Sequence, residues 1–176
     1  MVKGIAFSSD NEEASAIEQL YNIGVAHSKR GKPRDAIFYF DRVLMVNPSH
    51  TRAQFNKANA LGKLGRYEEA ILMYDVILKV LSGHPACLLN KGLALHYLRR
   101  YDEAVTCYQK ILATEPENAN ALYHIACTKA AQKKHSESLA LLERAIVIDY
   151  QFAGKAAKDP DFSSLREDQK FQSLVS

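Results

Sequence analysis

Apolar and polar residues alternate along this chain in a helical rhythm that is itself repeated. Leu20, Ile23, Gly24 and His27 fall at i, i+3, i+4 and i+7, one stripe of a helix, and Ala36, Phe40, Val43 and Leu44 form a matching stripe on a second. Between them Gly31 ends the first helix, and Pro33 suits the first turn of the next, where its missing N–H costs little. The pair recurs every 34 residues: Gly24, Ala58, Gly92 and Ala126 align, as do Ala36, Ala70, Ala104 and Ser138, and Phe40, Tyr74, Tyr108 and Leu142. Such a period describes stacked supersecondary units rather than one central core. It divides the chain into an N-terminal arm or helix (1–16), four helix pairs (17–50, 51–84, 85–118 and 119–152) and a C-terminal segment (153–176).

The expected helices lie near 17–30 and 34–47, 52–64 and 68–81, 86–98 and 102–114, and 120–133 and 136–149. Pro48 and Pro116 close the first and third units; in the second the stop is displaced to Gly83 and Pro85. The fourth unit is degenerate, with Lys129 where Leu61 and Leu95 stand, Ser138 where the other units carry alanine, and Tyr150 where the first and third carry proline, as a unit packed on one side only allows. In the tail Pro160 stops a helix that starts like a fifth repeat. Phe162, Leu165, Phe171 and Leu174 then suggest short turns covering the apolar flank of the fourth unit.

The 34-residue spacing, the small residues at unit positions 8 and 20, and the runs GRYEEA (65–70) and RRYDEA (99–104) resemble the tetratricopeptide repeat, in a microbial or archaeal form with a C-terminal capping tail. The resemblance implies an all-α, right-handed superhelical α-solenoid of antiparallel helix pairs, about four repeats plus capping helices. It also implies a protein–protein interaction scaffold or adaptor that takes a peptide segment or helix of a partner in a concave groove lined by the first helices. On that reading the groove carries Tyr21, Phe55, Leu89 and Tyr123 at position 5, Asn22, Asn56, Asn90 and His124 at position 6, and Val25, Asn59 and Leu93 at position 9, with Tyr97 at position 13. The position-5 side chains are expected to be partly exposed. Asparagine amides donate and accept at once, so they can pair with a peptide backbone, and aromatics beside them can hold apolar or cationic side chains. A self-associating scaffold, whose groove receives the tail or arm of another copy, is the alternative.

The clamp by which some relatives hold a C-terminal carboxylate needs lysines and an arginine. The corresponding positions here are Tyr21, Val25, Asn56, Ala86 and Asn90, or Phe55, Asn59, Asn90, Asn120 and His124, so no charge-assisted bond is available. Basic residues do gather at the turns, Lys63 and Arg66 or Arg99 and Arg100 among them. Acidic residues such as Glu68, Glu69, Asp102 and Glu103 open the following helices, so RNA binding along that edge is set aside.

Composition changes little: 47% apolar, 24% charged and a net charge of +3 describe an ordinary globular chain. Three cysteines without a CxxC pair read as free thiols, and with no long apolar run or signal-like start the expected location is cytoplasmic. His124 and Cys127 share a helix face with no carboxylate at groove positions beside them, so no metal is expected. Neither a phosphate loop nor a nucleophile elbow is present; the reading is of a non-enzyme with no cofactor and no small-molecule substrate.

Overall fold

The computed structural model describes residues 7–176, and the side chains from residue 13 onward. Among the described residues ten α-helices follow one another: α1 (Phe7–Lys29), α2 (Pro33–Val46), α3 (Thr51–Lys63), α4 (Tyr67–Val80), α5 (Pro85–Tyr97), α6 (Tyr101–Leu112), α7 (Ala119–Ala131), α8 (His135–Ile148), α9 (Gln151–Ala156) and, after a 3₁₀ turn over Pro160–Leu165, α10 (Gln169–Val175). Those residues contain no strand. The class is all-α, an α-solenoid of helix pairs. Helix α1 begins at Phe7, so 7–16 are helical and continuous with the first helix of the first pair; residues 1–6 of the N-terminal segment lie outside the described residues.

Two local devices recur with the period. Gly31, Gly65, Arg99 and Lys133 each adopt a left-handed φ, between 59° and 74°, just beyond a first helix. There the N–H of the following residue reaches back six positions along the chain, counting both ends, Lys32 to His27, Arg66 to Leu61, Arg100 to Leu95 and Lys134 to Lys129. This is the Schellman termination, which satisfies carbonyls the ending helix leaves bare. At the other end of the connection, His50, His84 and Asn118 cap α3, α5 and α7, each side chain accepting the N–H of the residue three further on. Arg66 and Arg100 pair through two nitrogens with Glu69 and Glu103, which neutralises part of the expected basic edge.

Packing within each pair turns on position 8. A Cβ on Gly24 would stand 2.7 Å from the Phe40 ring, and one on Gly92 2.5 Å from the Tyr108 ring. The rings of Phe40 and Tyr108, at position 24, therefore lie on the small residue of their own units.

The chain forms two compact units, one ending at Val80 and one beginning at Leu81. In the first, Ala36, Phe40, Val43 and Ala53 are buried, with Leu20, Tyr21 and Val25 packed against them. In the second, one cluster joins Leu122, Tyr123, Ala126, Leu139, Leu142 and Ala145 to Phe152, Phe162, Leu165 and Phe171 of the C-terminal segment. The tail is thus part of the core of this unit.

Candidate binding face

In the first unit, α1 presents Tyr21, Asn22 and Val25, and α3 presents Phe55, Asn56 and Asn59. Asn22 is exposed and the other five are half-buried. The amides partly serve the aromatics around them: Asn56 donates to the Tyr21 hydroxyl at 2.8 Å, and the Tyr74 hydroxyl donates to Asn59 at 2.6 Å. Arg52 lies 4.7 Å above the Tyr21 ring while pairing with Glu18 at 2.8 Å, so Tyr21 is fixed by a cation above and an amide at its tip. The Phe55 ring meets Tyr74 at 6.2 Å in an edge-on arrangement. Lys57 reaches Asp41 of α2 at 2.5 Å.

In the second unit, Leu89, Asn90 and Leu93 of α5 are half-buried, and Tyr97 is 57% exposed. The fourth rung departs from expectation. Tyr123 is fully buried, its ring against Phe152 at 4.7 Å and Phe162 at 5.9 Å, and its hydroxyl donates to Asp159 at 2.7 Å. The physical reason is the tail. Pro160 starts a 3₁₀ turn that packs on α7 and places Asp159 and Asp161 at its polar residues. His124 is half-buried and stacked on Tyr108 at 5.7 Å. Tyr123 therefore belongs to the core, not to a partly exposed groove wall.

Beneath the turn lies a polar cluster. His96, buried at the end of α5, faces Asp161 at 3.1 Å through Nε2 and Thr128 at 3.1 Å through Nδ1. Cys127 is buried, its sulfur 3.8 Å from Asp159. Burial, then the neighbouring acidic groups, pushes the Cys127 thiol well above its ordinary range. Burial, then the Lys155 ammonium and His96, pushes His124 down to about 4. Sequence spacing found no carboxylate near His124 and Cys127 because Asp159 and Asp161 come from a segment outside the 34-residue period. The signal available was the Asp-Pro-Asp run just ahead of Phe162.

Helix pairs joined by left-handed turns make up both units. Residues 89–157 match the family described as tetratricopeptide repeat, and residues 29–111 match the one described as anaphase-promoting complex, cyclosome, subunit 3. No curated protein matches the chain. MamA from Desulfovibrio magneticus RS-1, residues 41 to its end, is similar in fold with a TM-score of 0.74 at 20% identity, over 90% of this chain and 89% of that one. A thermophilic TPR protein of Thermus thermophilus gives a TM-score of 0.74 at 16% identity, over 90% and 87%. The chain is a tetratricopeptide repeat protein. Its class is that of protein–protein interaction scaffolds. Among the described residues no helix is long and apolar enough to cross a membrane.

Proposed function

We propose that this chain is a non-catalytic, cytoplasmic adaptor that receives a peptide segment or helix of a protein partner on its first-helix face. In the first unit the contact set is Tyr21, Asn22, Val25, Phe55, Asn56 and Asn59; in the second it is Leu89, Asn90, Leu93 and Tyr97. What carries the reading is the half-exposure of Tyr21, Val25 and Phe55 beside amide groups, each side chain anchored on one side by the packing of its own helix pair and open on the other. Aromatic anchors held rigidly at the rim of polar groups are the usual energetic centres of protein interfaces. Tyr123 drops out of the set because the tail already covers it. The same burial argues against a second copy's tail as the groove's occupant, since Phe162, Leu165 and Phe171 are committed within their own chain.

The test is a photo-crosslinking phenylalanine placed at Phe55, with Phe38 on α2, which is 56% exposed, as the control. In native lysate, position 55 is expected to give a discrete adduct with another protein and position 38 none. Adducts from position 38 alone would move the binding face to the second helices. An adduct of twice the chain's own mass would identify self-association.

A further inference from the structure

Three stretches distant in sequence meet under the C-terminal turn: the end of α5, the middle of α7 and the Asp159–Asp161 run. The Cys127 sulfur and one carboxylate oxygen each from Asp159 and Asp161 lie within 4.8 Å of one another. The tautomer of His96 follows from its neighbour. Thr128 donates its hydroxyl proton to the His124 carbonyl at 2.7 Å, and a hydroxyl has only one proton to give. That arrangement makes His96 Nδ1 the donor in the 3.1 Å contact with Thr128. A neutral imidazole with its hydrogen on Nδ1 has a bare lone pair on Nε2. That lone pair faces a carboxylate oxygen of Asp161 at 3.1 Å. Two acceptors at this distance repel each other unless a proton or a metal cation lies between them.

We propose that the cation is a divalent metal of the zinc class, held by the Cys127 thiolate and one oxygen each from Asp159 and Asp161, with His96 Nε2, which touches Asp161 but stands outside that group of three, closing onto the ion as the fourth ligand. Tetrahedral zinc, with bonds of about 2.0–2.2 Å to nitrogen or oxygen and about 2.3 Å to sulfur, sets N···O ligand pairs about 3.3 Å apart and S···O pairs about 3.6 Å apart. The separations here are 3.1 Å for His96 to Asp161 and 3.8 Å for Cys127 to Asp159. A mixed sulfur, nitrogen and oxygen set suits zinc or cobalt rather than magnesium or calcium. An outer shell stands in place. Thr128 orients the imidazole, the Tyr123 hydroxyl donates to Asp159, and the Asp161 N–H is accepted by the other Asp159 oxygen at 3.0 Å. On binding, the Cys127 S–H bond breaks, its proton leaves to solvent, and the sulfur–metal bond forms with no change of oxidation state. Three ligand charges against the divalent ion leave one negative charge, which the Lys155 ammonium, 4.3 Å above the Tyr123 ring, offsets. The four ligands close the site, so the metal acts as a staple joining the tail to α5 and α7.

The experiment uses the full chain, stripped with chelator and titrated with cobalt(II) near pH 7, followed by zinc(II). One equivalent of cobalt is expected to bind with a thiolate-to-cobalt charge-transfer band, and zinc is expected to bleach it and to raise the melting temperature. Cys127→Ala should abolish the band, while Cys87→Ala and Cys107→Ala keep it. Asp161→Asn, which retains the shape of the turn, should weaken cobalt binding at least tenfold; circular dichroism of each variant checks folding. Absence of stoichiometric cobalt binding overturns the proposal, as does a band that survives Cys127→Ala. Nitrogen-15 spectra showing His96 protonated on both ring nitrogens after zinc addition would also overturn it, because a proton would then be the cation between His96 and Asp161.

Discussion

A methyl group on Gly92 has no room, because the Tyr108 ring already occupies the space 2.5 Å away. The same ring ends in a hydroxyl that is fully buried and has no hydrogen-bond partner among the described residues, whereas the Tyr123 hydroxyl has Asp159. The two tyrosines should therefore respond oppositely to loss of one oxygen. Tyr108→Phe removes an uncompensated desolvation and is expected to stabilise the chain by about 1–3 kcal/mol; Tyr123→Phe strands part of a carboxylate and is expected to destabilise it by a similar amount, both read from urea unfolding. His124 supplies a pH dependence. Its imidazole takes up a proton at about 4 in the folded chain against 6.5 for the free side chain. The unfolded state therefore binds more protons, and stability falls as pH drops from about 6.5 toward 4, by roughly 3 kcal/mol for a shift of this size. In His124→Gln that part of the acid loss should vanish. Equal acid sensitivity in wild type and variant, by urea unfolding at several pH values, would exclude His124 as its source.

At the scale of helices and turns, the sequence was legible wherever one residue type carries the conformation. Gly31 and Gly65 announce the left-handed ends of α1 and α3, and Pro33 and Pro85 open α2 and α5. Arg99 and Lys133 hold the same left-handed geometry without that signal, because the long back-bonds of the termination recur there and impose it. The caps His50 and His84 were equally hidden, since histidine lies outside the usual serine, threonine, aspartate and asparagine set. The strain at Arg99 is testable. A left-handed non-glycine residue costs about 1–2 kcal/mol, and glycine gives back about 0.5–1 kcal/mol of that in backbone entropy. Arg99→Gly should stabilise the chain by about half to one kcal/mol. Gly65→Ala, the same kind of exchange in reverse, should destabilise it by about half to one kcal/mol. If both substitutions leave the urea midpoint unchanged, the turns tolerate the left-handed region without cost.

Across the whole molecule, the periodic part of the chain disclosed its class, its helices and its small-residue contacts, because each follows from residues recurring every 34 positions. The fate of Tyr123 did not follow, since what covers it comes from a stretch that leaves the period. Position 5 reads alike in Tyr21, Phe55 and Tyr123, yet Tyr21 and Phe55 stay half-buried and Tyr123 closes into a core with Phe152, Phe162 and Phe171. That difference sets the last prediction, the effect of ending the chain after Ala157. The truncation removes three fully buried apolar side chains, Phe162, Leu165 and Phe171, each contributing about 1.5–3 kcal/mol through burial. It also strips Asp159 from Tyr123 and Asp161 from His96. The gross loss of about 5–9 kcal/mol is of the order of a whole domain's net stability. Hydrogen exchange should therefore show α7 and α8 losing protection, while the amides of α2 and α3, in the unit ending at Val80, keep theirs. Helical circular dichroism should fall by more than the removed 3₁₀ turn and α10 contribute. Unaltered protection in α7 and α8 would show that the tail is a covering laid over a finished unit, and that the second unit can close its core without it.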